Sequence, residues 1–323
     1  MAIRITDLLR KVEPETERVV ADTRQRFNQA VRRHLRDETR LYLTSGGERG
    51  DERDVRTVRV AVTAGIPEEL ENQQFDEGLA LALALAPLTR VLEEAHLSIS
   101  NAIPSVARLY DRDDFVDAFA DAGPTLEDAR ETIAALLKEA SRANVLGQIF
   151  AIREDVLGVY RFNPPTQPSW GDTDDANARI ELFWGVIGLV SRLLGVSLEG
   201  LTVKVLAHEL AHAYTHVGAD ADGRRWGTTA FQRTDRALKE GLAQYYTCRV
   251  LERLGKQAPG AMDAYEKLLP HQPEIYRTHL GWLEDHSPEE VREAMLTIRC
   301  RDAGRLAEFE RLLGESRARR RNR

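Results

Sequence analysis

The run His208-Glu209-Leu210-Ala211-His212 constrains this 323-residue chain more than any other stretch. Leu, Val and Ala flank it, which predicts a buried helix. Positions i and i+4 project from one face of a helix, so His208 and His212 can direct two imidazoles at one ion. Glu209 lies one residue further round, within reach of a water on that ion. The motif therefore predicts the two nitrogen ligands and the general base of a zinc hydrolase.

Two histidines and a glutamate could also be solvated polar residues that share a helix by chance. The apolar flanks argue against this interpretation, because a buried His-Glu-His cluster without partners would be costly.

A second predicted helix supplies a candidate for the third metal ligand. Asp235 is its expected N-cap and Gly255 its expected end. Glu240, in the first half of this helix, is the expected third ligand, and Asp235 is the alternative. Gly241 and Ala243 are small, so the helix can pack closely against the first one.

The two segments together resemble the gluzincin metallopeptidases. The sequence of the second segment is closer to that of the bacterial collagenase-type members, in the run Glu240-Gly241-Leu242-Ala243-Gln244-Tyr245. The resemblance covers little more than these two helices. It implies zinc on His208, His212 and Glu240, with Glu209 as the base. Many gluzincins carry an acid four residues after the third ligand, which orients a zinc histidine. This chain has Gln244 there, so that role passes to Gln244 or to another residue.

Two rival classes of zinc peptidase fail at single positions. A metzincin would need histidine at position 218 and glycine at position 215, where this chain has Gly218 and Thr215. An aspzincin would place a ligating aspartate in a Gly-Thr-x-Asp run, and the run in this chain ends in Ala230.

The resemblance also implies a downstream histidine or tyrosine that binds the oxyanion. Tyr276 and His279 are three residues apart on one face of a predicted helix, so both could reach a cleft. Tyr245 and Tyr246 compete for this role. An ordinary place in the core or on the surface is the alternative for each of these side chains.

Composition and charge indicate a soluble globular protein. Hydrophobic residues make up 42% of the chain and charged residues 30%, which is ordinary for that class. The net charge of −7 argues against nucleic acid as the main partner. Two cysteines without Cys-x-x-Cys spacing fit a reducing cytoplasm better than a disulfide framework. The chain shows no secretory signal or membrane span, so a cytoplasmic protein without a membrane partner is predicted.

The expected fold class is α+β and predominantly helical, with a zincin-like catalytic domain, a short mixed sheet and an active-site helix pair. Three regions are expected: 1–143, mostly helical with one strand; 144–312, the catalytic domain; and 313–323, a basic disordered tail whose arginines could touch nucleic acid or acidic lipid. An amphipathic helix packed on the body is preferred for 1–45, with an oligomerisation arm as the alternative.

Several shorter elements are expected within these regions. Strands are predicted at 55–63 and 179–183, a hairpin at 148–152 and 157–162, and helices at 78–88, 125–143, 184–194 and from 198. The segment 179–183 is expected to be an edge strand that pairs with extended substrate. The acidic residues Asp172, Asp174 and Asp175 match a calcium loop poorly, and a solvated loop that could act as a lid is preferred.

These patterns together predict an intracellular zinc endopeptidase that hydrolyses a peptide or protein substrate. A zinc-containing regulatory or scaffold protein that does not cleave is the alternative, although the intact Glu209 argues against it. A cytoplasmic regulator that cleaves one cellular protein under stress is a third candidate.

Overall fold

The computed structural model describes residues 3–4, 15–43, 58–64, 66, 74–75, 91–105, 122–142, 145–152, 156–163, 177–220, 228–300 and 304–321. Helices dominate the described residues, and they accompany a small mixed sheet, as the sequence predicts. The predicted helix at 78–88 and the acidic loop at 172–175 lie outside the described residues.

The helices are α1 (Glu15–Thr39), α2 (91–105), α3 (Ala122–Arg142), α4 (Val145–Ile152), α5 (Trp184–Leu194), α6 (Leu198–Val217), α7 (Thr228–Gln232), α8 (Arg236–Leu254), α9 (Ala261–Leu268), α10 (Leu280–Asp285), α11 (Pro288–Arg299) and α12 (Leu306–Arg321). The strands are β1 (Ile3–Arg4), β2 (Leu41–Tyr42), β3 (Val58–Thr63), β4 (Gln74–Phe75), β5 (Gly158–Asn163), β6 (Asn177–Phe183) and β7 (Ala219–Asp220).

The main sheet has three strands in the order β3-β6-β5. Strand β3 runs parallel to β6, and β5 runs antiparallel to it. Ile180 of β6 faces Val60 on one side and Tyr160 on the other. The prediction that 179–183 forms an edge strand is therefore wrong, because both edges of β6 already pair with neighbours and cannot pair with substrate.

The predicted hairpin is correct only in its second half. Strand β5 covers that half, but its partner is β6, and the first half belongs to helix α4. Ile149 and Phe150 of this helix are buried. A short, continuously apolar run fits a buried helix as well as a buried strand, so periodicity alone cannot separate the two.

Helix α1 packs on the body through one apolar face, as preferred from the sequence. Its buried face includes Phe27, Val31 and Leu35, which belong to the same hydrophobic core as the two motif helices. Arg32, also buried, donates to the carbonyl oxygen of Val58 at 2.6 Å and so ties α1 to β3. Helix α1 and strands β2 and β3 therefore share one core with the motif helices.

The C-terminal segment is helical through Arg321, so the prediction of a disordered tail from 313 is wrong for residues 313–321. Leu313 and Ser316 are buried, and Arg317 lies 3.3 Å from a carboxylate oxygen of Asp285. These contacts attach α12 to the rest of the described chain as far as Arg317.

Within the described part of the chain, no helix combines the length and the apolar character that crossing a membrane requires.

Candidate metal centre

Helix α6 carries the first motif into the core of the protein. Ser197 caps it, since its hydroxyl oxygen accepts a hydrogen bond from the Gly200 N–H at 3.2 Å. Most residues of α6 are buried, including His208 and Glu209, whereas the side chain of His212 is 14% exposed. The helix begins at Leu198, as predicted, and presents the motif away from bulk water.

Helix α8 carries Glu240. It ends at Gly255, as predicted, and that glycine has a φ of +44°, which favours glycine. Asp235 occupies the N-cap position, but its carboxylate accepts from the backbone N–H of Leu306 at 3.0 Å and makes no capping bond to α8. A Cβ on Gly241 would lie 2.6 Å from Cη2 of Trp282. The small residue beside Glu240 thus makes room for Trp282.

Three side chains bring one ligand atom each to a common point. Nε2 of His208 lies 3.3 Å from Nε2 of His212. Oε2 of Glu240 lies 3.4 Å from the first nitrogen and 3.2 Å from the second. Tetrahedral zinc with bonds of about 2.0–2.1 Å would separate its ligand atoms by about 3.3–3.4 Å. The triangle therefore has the size that such an ion requires.

The protonation states also suit a metal ion. Burial, followed by the charge of Lys204, lowers the pKa of His208 to about 3. Burial alone would raise the pKa of Glu240, but the adjacent rings of His212 and His208 hold that pKa well below its usual range. A neutral imidazole and an ionised carboxylate are the forms that bind metal. Oε2 of Glu240 is buried without a hydrogen-bond partner, so a cation would satisfy it.

Among the described residues, the group that could hold a metal ion is His208, His212 and Glu240. The structure therefore brings together the three ligands that the resemblance implies. Asp235, the alternative ligand, is engaged with Leu306 and does not belong to the group.

Gln244 does not orient a histidine of this group through its amide nitrogen. It is fully buried, and its Nε2 donates to Oε1 of Gln272 at 3.0 Å. Nδ1 of His208 is also buried and has no hydrogen-bond partner. Within the described part of the chain, the usual pairing of a metal-binding histidine with a second-sphere acceptor is therefore absent at His208.

Tyr276 and His279 lie on short, separate elements. Tyr276 belongs to the 3-10 helix Glu274–Arg277, and its buried ring stacks on that of His208 with centroids 5.8 Å apart. His279 is fully buried, and its Nε2 is hydrogen-bonded to the hydroxyl of Tyr265. Tyr276 thus contacts a ligand ring, while His279 contacts the core. Binding of the oxyanion by either residue stays a prediction.

The competing candidates, Tyr245 and Tyr246, are both buried in α8. Their rings meet edge to face with centroids 5.2 Å apart, and burial raises the pKa of each hydroxyl.

Strand β5 supplies neighbours of the centre that the sequence analysis did not single out. A Cβ on Gly158 would lie 2.9 Å from Cγ of Glu209, so this glycine makes room for the expected base. Two residues on, Tyr160 stacks on His212 and its hydroxyl lies 3.2 Å from Nδ1 of His216. His216 follows His212 by four residues, and this spacing could have placed it on the same helix face as the metal motif. No local pattern in the sequence indicates that Gly158 lies beside Glu209.

A cavity of about 310 Å³ opens beside the centre. It is lined by Tyr160, Phe162, Glu209, His212, Thr215, His216, Phe231, Gln232, Thr234, Arg236, Lys239 and Glu240. The expected base and two of the three ligand residues thus border a space that a small group can enter.

No protein-family model matches the chain, and neither a curated protein nor a solved structure matches it significantly. Function is therefore inferred from the geometry of the site.

Proposed function

We propose that this protein is a zinc-dependent peptidase with a zincin-like catalytic fold related to the gluzincins. One observation carries the proposal: the ligand atoms of His208, His212 and Glu240 form a triangle of zinc dimensions, and Glu209 borders the adjoining cavity. A structural zinc site needs four protein ligands and no base. Three ligands and a neighbouring carboxylate are what hydrolysis needs.

Glu209 is the general base in this proposal. Zinc, when bound, supplies a Lewis acid that polarises a carbonyl group and lowers the pKa of water towards about 7. The carboxylate of Glu209 takes a proton from the attacking water and passes it to the leaving nitrogen. Gly158 and Val205 adjoin the Glu209 side chain and restrict its position.

Strand β5 is the proposed partner of an extended substrate, in place of β6. Among the described residues, β5 has a single strand partner, β6. It passes the centre at Gly158 and Tyr160, so a peptide added at its other edge would run beside the ligands.

The test is Glu209→Gln, with zinc content and cleavage of an unfolded protein mixture measured on one preparation. Glutamine keeps the size and hydrogen bonding of the side chain but cannot accept the proton. We expect full zinc content and a loss of turnover of at least about 10²-fold.

The matched control is Glu199→Gln, which makes the same change on the same helix at a half-buried residue paired with Arg26. It should cleave as the parent does. Equal cleavage by the Glu209→Gln variant would contradict the proposed role. If the parent protein holds zinc but cuts no component of the mixture, the result would favour the alternative function, a zinc-containing protein that does not cleave.

A further inference from the structure

The cavity beside the metal centre has a cationic part. Arg236 and Lys239 line it, and both come from the first turns of α8, just before Glu240. Residues three apart on a helix are neighbours on one face. Nζ of Lys239 donates to the carbonyl oxygen of Gln232, another lining residue, at 3.0 Å. This bond holds the ammonium group beside the cavity.

Thr234 adds a buried hydroxyl to the same lining. The residue is 4% exposed, and its Oγ1 has no hydrogen-bond partner among the residues that the structure describes. A buried hydroxyl without a partner costs free energy. An oxygen atom of a bound group would remove that cost by accepting a hydrogen bond from the hydroxyl. The unpartnered hydroxyl therefore favours a ligand that carries hydrogen-bond acceptors.

The charges of the lining favour an anion once the metal is in place. Two lining carboxylates, Glu209 and Glu240, are already engaged as base and ligand. A divalent ion offsets both of them, and Arg236 and Lys239 give the lining two positive charges. The chain as a whole has a net charge of −7, so two cationic residues in one lining run against the overall balance of the chain.

We propose that this part of the cavity binds a carboxylate of the peptide substrate through Arg236, Lys239 and Thr234. The inference rests on the proposed function and gives it a substrate class: peptides with a carboxylate close to the scissile bond. A carboxylate accepts several hydrogen bonds at once, and bonds to cationic donors are the strong ones. An acidic side chain and a free C-terminus share this chemistry.

The experiment measures binding, which needs no turnover. Fluorescent peptides bind to the zinc-loaded Glu209→Gln protein, and anisotropy gives their dissociation constants. One set carries a single Glu in an amidated neutral sequence, the second has Gln in place of Glu, and the third has Gln and a free C-terminal carboxylate. We expect a carboxylate set to bind about tenfold more tightly than the amidated Gln set. The set that does so identifies the source of the carboxylate.

Substitutions then assign the preference to the cavity. Arg236→Gln and Lys239→Gln should each remove most of it, and Thr234→Val, which keeps the shape of the side chain, should weaken carboxylate binding by about threefold. Arg233→Gln is the matched control, because Arg233 is exposed and does not line the cavity. Zinc content is measured for every variant, so that loss of metal is not mistaken for loss of the carboxylate site.

Equal binding of all three sets, or binding of none, would overturn the proposal. So would a preference that survives both charge substitutions, since the carboxylate would then bind the metal itself. Cleavage by the unsubstituted protein tests the peptidase separately. Selective binding without cleavage keeps the carboxylate site and rejects the peptidase. Cleavage without selective binding of a carboxylate set keeps the peptidase and rejects the carboxylate site.

Discussion

At the scale of single residues, Glu240 decides whether the centre is complete. It is the candidate ligand on α8, and its Oε2 lies 3.2–3.4 Å from the two histidine nitrogens of α6. Glu240→Ala leaves two nitrogen ligands and removes the negative charge that offsets the ion. We expect zinc affinity to fall by more than about 100-fold, measured by competition with a chromophoric chelator.

Asp235→Ala is the matched control for this substitution. It removes a carboxylate just before the same helix, but that carboxylate accepts from Leu306 N–H and lies outside the ligand group. Zinc affinity should stay unchanged. If Asp235→Ala released zinc while Glu240→Ala retained it, the assignment of the third ligand would be reversed.

Gly158 is expected to matter for turnover although it carries no functional group. An added Cβ would lie 2.9 Å from both Cγ of Glu209 and Cγ1 of Val205, closer than side chains tolerate. Gly158→Ala should therefore displace Glu209, lower turnover by at least about tenfold and cost about 1–3 kcal/mol of stability. Zinc content should be retained, because the ligands come from other positions.

Gly281→Ala serves as the control for Gly158→Ala. Gly281 lies in helix α10, and a Cβ there would have no heavy atom within 4 Å. It should leave turnover and zinc content unchanged. Normal turnover in the Gly158→Ala protein would show that the base does not depend on this contact.

At the scale of elements, His216 joins three of them at the end of α6. Its Nε2 donates to the carbonyl oxygen of Thr228 in α7 at 2.9 Å, because a carbonyl can only accept. Its Nδ1 then accepts from the hydroxyl of Tyr160 in β5. Arg299 of α11 closes the same end by donating to the carbonyl oxygens of His216 and Gly218. A neutral imidazole satisfies this set of bonds.

Acid should therefore weaken the fold through His216. Burial lowers its pKa from 6.5 to about 4, and Arg299 and Lys239 act in the same direction. Below pH 6.5 the unfolded chain takes up a proton that the folded protein excludes down to about pH 4. The contribution of His216 to the unfolding free energy is thus complete above pH 6.5 and is lost as the pH falls from 6.5 to about 4. The difference in pKa corresponds to about 3 kcal/mol.

His216→Gln tests this pH dependence, because glutamine can donate to Thr228 and accept from Tyr160 without titrating. Urea unfolding of both proteins, with a chelator present, gives the unfolding free energy at pH 7 and at pH 4. The variant should lose about 3 kcal/mol less than the parent between these values. The same loss in both proteins would place the acid sensitivity at other histidines, such as His279, whose pKa burial also lowers.

At the scale of the whole molecule, the N-terminal region and the motif helices depend on one another. Val31 and Leu35 of α1 are fully buried in the core that also contains Leu206 and Leu210 of α6. Glu38 of α1 is buried and pairs with Arg249 of α8 at 3.3 Å. Loss of α1 would expose this apolar surface and leave charged groups without partners.

A chain that begins at residue 144 is therefore expected not to fold by itself. It should show no cooperative transition in urea and bind no zinc stoichiometrically, since the shared core supplies most of the stability. Circular dichroism and a metal titration, with the full chain alongside, measure both. Cooperative unfolding and full zinc content in the shortened chain would instead support a domain boundary at 143, which stays a prediction.

The sequence by itself determined the features that depend on local spacing. His208, Glu209 and His212 occupy one helix, so the periodicity of that helix sets their relative directions. The bounds of α5 and the start of α6 follow from equally local signals. Glu240 could be named because its own helix carries a recognisable run of residues, although only folding could bring that run within 3.4 Å of the histidines.

Only the tertiary structure decided which segments become neighbours. The prediction of an edge strand at β6 failed because the residues of a strand do not show how many neighbouring strands pair with it. Gly158 lies against Glu209, and Tyr160 reaches His216, through the pairing of β5 with β6 and the packing of α6 beside β5. Such contacts join residues far apart in the chain, and whole surfaces decide them together, so no short pattern contains them.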